Sequence, residues 1–163
     1  MSIKRYLAAL LSLLLLLSLV ACQTAEGTDE TAESESNTEK ETAIGKFSYT
    51  SIDGGIAITG YDGNVDELVI PSSIDGMKVI AISDSAFASM NIKSATIPDS
   101  VEKIGWFAFK DCKYLRTVSI PKNVKSIGYS AFSNTSDNLI FICDIDSFAA
   151  KYADSYGIRY ATV

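Results

Sequence analysis

Residues 97–109, IPDSVEKIGWFAF, and residues 120–132, IPKNVKSIGYSAF, agree at seven of thirteen positions without a gap. A repeat of this length constrains a chain severely, because one copy cannot hide its own apolar side and must stack on the next. The anchors of the phrase occur three times. Pro71, Pro98 and Pro121 each follow an isoleucine, and the pairs Ala86-Phe87, Ala108-Phe109 and Ala131-Phe132 stand 22 and 23 residues apart. Ile82, Ile104 and Ile127 keep the same spacing. The first copy carries five extra residues between Ile74 and Ile82, and Asp75-Gly76 within them predicts a turn at a corner of the coil.

Each copy reads as one coil of a stack. Val65, Leu68 and Ile70, then Ile92, Ala95 and Ile97, then Leu115, Val118 and Ile120 mark short strands with one buried face. The proline removes a backbone donor and ends the strand. Ile74, Val101 and Val124, with the isoleucine that follows each, are expected to return to the core. Gly105 and Gly128 are expected to permit a sharp bend. Alanine then lets coils approach, and phenylalanine fills the centre. The predicted core is therefore a stack of Phe87, Phe109 and Phe132 beside Ile104 and Ile127, in an array of three to four coils.

The ends must differ, since each lacks a neighbour on one side. Phe47/Tyr49 and Ile56/Ile58 alternate around Asp53-Gly54-Gly55, which predicts a β-hairpin closing the N-terminal edge. At the other end, Asp146 or Ser147 can cap a short helix, with Phe148, Tyr152 and Tyr156 along one side as a lid. Gly157 is the natural stop, and Ile158 and Tyr160 predict a last short strand. In NLIFIC, residues 138–143, either Leu139/Phe141 or Ile140/Ile142 could face inward.

The phrase resembles the BspA-type leucine-rich repeat, a family of bacterial surface proteins. Its pattern matches at Ile97-Pro98, Val101, Ile104-Gly105, Ala108-Phe109, Cys112 and Leu115. The third copy matches as far as Phe132 but has Thr135 in the cysteine place; the first has Ser83 in the glycine place and Met90 near the cysteine place. The resemblance covers about residues 47–160. It implies an α/β-type, mostly β solenoid: a short right-handed coil between an N-terminal hairpin cap and a C-terminal helical cap. Residues 44–64 are read as the first cap, 65–143 as repeats and 144–163 as the last cap.

The remainder of the chain reads differently. Residues 1–21 place Lys4 and Arg5 before an apolar run from Tyr6 to Ala21, the layout of a secretory leader. The sixteen residues of that run fall short of the roughly 20 needed to span a bilayer. Leu19-Val20-Ala21-Cys22 resembles the lipobox of bacterial lipoproteins, which implies lipid attachment at Cys22 and anchoring to the outer leaflet of the bacterial membrane, outside the cytoplasm. Residues 23–43 hold seven acidic side chains and one lysine, with no aromatic or branched aliphatic residue. Such a segment cannot bury enough surface to fold and is read, with Cys22, as an extended acidic tether. Residues 44–163 carry eleven basic and thirteen acidic side chains, and this near neutrality argues against nucleic acid as a partner.

The sequence holds no histidine, which rules out a Ser-His-Asp or Cys-His site. No phosphate-binding glycine loop is present, and Asp144 and Asp146 are more simply read as helix-start residues than as metal ligands. No cofactor, metal or catalytic residue is expected. Cys112 and Cys143 are read as two buried thiols, although an oxidising exterior would let them pair. Trp106, Phe107 and Tyr129 follow the glycine and are assigned no role.

In the family the parallel strands line a concave side. The residues expected to face outward there are Glu67, Val69, Ser94, Thr96, Thr117 and Ser119, a strip rich in hydroxyl groups and suited to an extended ligand. The resemblance implies noncovalent binding of an extracellular or host-matrix protein or a glycan, as in adhesion; the domain is expected to be monomeric. The alternative is an accessory envelope lipoprotein that docks on a complex of its own cell.

Overall fold

The computed structural model describes residues 46–162. The predicted leader, Cys22 and the acidic tether lie outside the described residues. The described residues open with β1 (Phe47–Ile52) and β2 (Gly55–Tyr61), an antiparallel hairpin turning at Asp53-Gly54, as expected. Gly54 sits at φ 83, which explains the glycine there. Next come β3 (Glu67–Val69), β4 (Ser73–Ile74), β5 (Met77–Ile82), β6 (Ser94–Thr96), β7 (Lys103–Ile104), β8 (Thr117–Ser119), β9 (Ser126–Ile127) and β10 (Ile140–Ile142). The helix α1 (Phe148–Tyr156) and β11 (Arg159–Ala161) complete the fold. Among the described residues no helix is long and apolar enough to cross a membrane.

Two sheets form facing walls of a solenoid. One is five-stranded and parallel, ordered β11-β10-β8-β6-β3. The other runs β1-β2-β5-β7-β9, with β4 paired to β5. The first wall has five rungs where three to four coils were expected, because β10 and β11 continue it beyond the last recognisable copy. Ile70, Ile97, Ile120 and Cys143 each donate from the backbone to the next rung, to the carbonyls of Thr96, Ser119, Ile142 and Ala161, at 2.9–3.1 Å. The prolines at 71, 98 and 121 stand just past the ends of β3, β6 and β8, as predicted.

The core is an aromatic column. Phe87 and Phe109 have ring centroids 5.2 Å apart, and Phe109 lies 5.0 Å from Phe132 with the rings parallel to within 4°. The column extends at one end to Phe47, 6.5 Å from Phe87, and at the other to Phe141, 4.8 Å from Phe132. Ile104 and Ile127 are buried beside it, so all five predicted core residues are in place. The corners that carry these phenylalanines share an unusual backbone. Ser85, Phe107 and Ser130 all take left-handed φ of 52–58°, and four residues on Ser89, Asp111 and Asn134 do the same at 58–62°. This recurrent geometry lets Phe87 and Phe109 donate to the carbonyls of Ala108 and Ala131 on the next coil, both at 2.8 Å.

Three local readings are corrected. Gly105 and Gly128 have no left-handed φ, so they are not there to bend the chain. A Cβ on Gly105 would sit 2.5 Å from the backbone of Ser83 and Asp84, and one on Gly128 would meet the backbone of Trp106 at 2.5 Å. Glycine is required because neighbouring coils touch there. Ile74 is only half-buried; Val79, three residues before Ile82, is fully buried in the place that Val101 and Val124 hold in later copies. The insertion forms the β4–β5 hairpin, turning at Asp75 (φ 50) and Gly76 (φ 76), and it carries Ile74 outward. In α1 the predicted lid side faces the core only through Tyr152: Phe148 and Tyr156 are exposed, and Ala149, Ala150 and Ala153 are buried beside Tyr152. Small residues win because the helix packs closely on the end of the stack. Ser147, not Asp146, is the N-cap, accepting from the Ala150 amide at 3.2 Å, and Gly157 closes the helix at φ 67.

Candidate ligand-binding face

The strand register decides which side chains leave the core together. Glu67 is opposite Ser94, Ser94 opposite Thr117, Thr117 opposite Ile140 and Ile140 opposite Arg159. A second file runs through Val69, Thr96, Ser119, Ile142 and Ala161. Because side chains alternate along a strand, both files stand on the face opposite Leu68, Ala95, Val118 and Phe141, each at most 2% exposed. The structure therefore brings the six predicted outward residues together. Val69 is 64% exposed, Glu67 and Thr96 are exposed, and Ser94, Thr117 and Ser119 are half-buried.

Four members of this face were absent from the expected set. Leu139 and Phe141 are buried, so Ile140 and Ile142 face outward and the open register of residues 138–143 is decided. The 23-residue step from Thr117 and Ser119 leads to these two isoleucines, but apolar residues on an open face run against the usual alternation. Arg159 and Ala161 follow after a shorter step of 19, which no repeat of the phrase marks. The face thus grades from hydroxyl groups in its middle to isoleucines, with single charges, Glu67 and Arg159, at opposite edges of the sheet.

Other candidate groups are held in structural roles. Cys112 and Cys143 are free and buried. The Cys112 thiol donates to the Phe87 carbonyl at 3.1 Å, and burial pushes its pKa up to about 11. Burial also raises that of Cys143. Neither is a poised nucleophile. Tyr152, inside the end of the stack, is pushed up to about 12 by burial. Among the described residues no group of three or more His, Cys, Asp or Glu side chains is placed to hold a metal ion.

On the opposite corner Trp106 and Tyr129 are 58% and 65% exposed, with Tyr129 edge-on to Phe107 at 6.1 Å. The Asp84 carboxylate accepts from the Trp106 amide at 2.7 Å, one more tie between coils. On the second wall, Lys125 and Glu102 pair at 2.6 Å on neighbouring coils; hydrogen bonding from Lys125 lowers the Glu102 pKa.

A family model described as BspA type leucine-rich repeat region (6 copies) matches residues 63–153. The chain belongs to the BspA-type leucine-rich repeat family. Two solved structures are similar to this BspA-type domain. A leucine-rich repeat protein of T. pallidum is 26% identical with a TM-score of 0.52, over 64% of this chain and 53% of its own. A leucine-rich cell surface protein of Faecalibacterium prausnitzii A2-165 is 30% identical with a TM-score of 0.52, over 61% of this chain and 28% of its own. The chain therefore spans about half of the first relative and about a quarter of the second. No curated protein matches it. Domains of this kind are generally protein-binding modules.

Proposed function

We propose that this BspA-type chain is a lipid-anchored bacterial surface protein whose repeat domain binds an extended extracellular protein or glycan, noncovalently, on the open face of its five-stranded sheet. The pair of in-register files carries the reading. They set hydroxyl groups and small apolar side chains at the regular strand spacing, which suits a ligand lying across the strands. Five strands about 4.8 Å apart reach about 20 Å, a small contact, so each domain binds modestly. Many copies on one membrane gain avidity. The domain acts as a monomer and without catalysis. Anchoring rests on the apolar leader and on Leu19-Val20-Ala21-Cys22, and the acidic segment that follows holds the domain clear of the membrane.

The test uses the full chain against matrix proteins, mucins and cell-wall glycans. Thr96→Glu with Thr117→Glu is expected to weaken capture about tenfold or more while leaving the melting temperature nearly unchanged, since both side chains stand outside the core. Undiminished capture would remove the sheet face as the site. Capture only from the membranes of its own cell would move the assignment to an accessory envelope lipoprotein. Separately, Cys22→Ala should release the protein from membranes and abolish lipid labelling.

A further inference from the structure

The third copy departs from the repeat where its coil should close. After Phe109 the second copy fills the corner with Cys112 and Leu115, both fully buried. After Phe132 the same steps fall on Thr135 and Asn138, and the apolar plug comes one residue late, at Leu139. Thr135 is tied down by donating to the Phe132 carbonyl at 3.0 Å, and Asn138 is exposed. A polar loop of this kind does not fill the space that a thiol and a leucine fill. Between it, the end of α1 and the start of β11, a cleft of about 420 Å³ stays open. Small-molecule sites commonly occupy about 300–1,000 Å³.

The lining has a particular chemistry. Ser133, Asn134 and Asp137 stand on the loop side, Tyr156 on the helix side and Arg159 on the strand side. Tyr156 is half-exposed, and its ring is backed by Tyr152 at a centroid distance of 4.3 Å and an angle of 23°. This fixes an aromatic wall at the cleft. Asn134 is anchored by donating to the Asp111 carboxylate. The side chains of Ser133 and Asp137 and the Tyr156 hydroxyl make no hydrogen bond among the described residues. One acid and one base line the cleft, so its charge is balanced. A fixed phenol ring, unengaged hydroxyl and carboxylate groups and no net charge suit a ligand with an apolar C–H face and a rim of neutral hydroxyl groups.

We propose that this cleft binds a single neutral pyranose ring, either as a free sugar or as the terminal residue of a glycan. The cleft shares only Arg159, at the edge of the sheet, with the sheet face; Ser94, Thr96, Thr117 and Ser119 do not line it.

The test is an NMR titration of the full chain in a detergent without sugar headgroups. The probes are galactose, N-acetylglucosamine and glucuronate, and oligosaccharides ending in each. A neutral sugar is expected to shift the amides of residues 133–138 and 156–159 saturably, at roughly millimolar concentration for the free ring. Asp137→Asn and Tyr156→Phe should each weaken that binding about tenfold, and both keep the packing of Tyr156 on Tyr152. Thr96→Glu with Thr117→Glu should leave it unchanged. Response to the free ring assigns a free sugar, and response to the oligosaccharide alone assigns a glycan terminus. The proposal is overturned if no probe gives saturable shifts in these segments, if both cleft variants bind as the unaltered chain does, or if glucuronate binds better than the neutral sugars.

Discussion

Gly128 and Cys112 show how tightly single residues are specified by the neighbouring coil. Gly128 donates its amide to the Ile104 carbonyl at 2.9 Å, and its missing side chain makes room for the Trp106 backbone. Gly128→Ala should destabilise the fold by about 1–3 kcal/mol, as overpacking does, measured by urea unfolding. Ser83, in the glycine place of the first copy, escapes the constraint because the N-terminal hairpin, and no coil, precedes it. Cys112 supplies a pH dependence. Its folded pKa, about 11, lies above the ordinary thiol value near 9. The folded state therefore holds that proton longer, so the contribution is complete below about pH 9 and is lost as pH rises through about 11. Melting temperature should fall across that window, and less steeply in Cys112→Ala. A slope identical in the two proteins would show that another group governs it. The burial of Cys112 was legible in the phrase, but the contacts of both residues were not, since IG and AF-x-x-C name residues without naming what they touch.

At the scale of elements, the phenylalanine corner is the unit of stability. Phe109 is fully buried between two ring partners, so Phe109→Ala should cost roughly 3–5 kcal/mol. A loss below about 1 kcal/mol in chemical denaturation would show that the rings do not carry the stack. On the first wall β3, β6 and β8 were legible because the two-residue alternation and the following proline agree. The helix was legible in its limits and only in part in its buried side. Aromatic spacing pointed to Phe148, Tyr152 and Tyr156, whereas close packing against the last coil kept only Tyr152 of these and buried the alanines beside it. The β4–β5 hairpin illustrates the same gap: Asp75-Gly76 announced a turn, but the displacement of Ile74 by Val79 depends on the pairing it creates.

For the whole domain, stability is a sum over neighbouring coils, so the middle of the array has support on both sides and the ends on one. Hydrogen exchange should therefore be slowest at the amides of Ile97 and Ile120, which bond to the next rung, and faster in the β4–β5 hairpin, whose Asp75-Gly76 turn is exposed. Equal protection throughout would mean a single cooperative unit without a graded interior. The candidate face exists only at this scale. Its ten residues come from five strands scattered over Glu67 to Ala161, and no one strand supplies more than two of them.

What the sequence by itself determined is the coil. A recurrent Ile-Pro, Ile-Gly and Ala-Phe phrase specifies strands, their ends and a stacked aromatic core, because each of those residue types answers to local geometry and to an identical neighbour. What only the tertiary structure decided lies where the repetition stops: the pairing of the last two strands onto the first wall, the outward turn of Ile140 and Ile142, the residues on which α1 is buried and the cleft beside Tyr156. There each residue faces an element unlike its own, and the outcome depends on how two different surfaces fill the space between them.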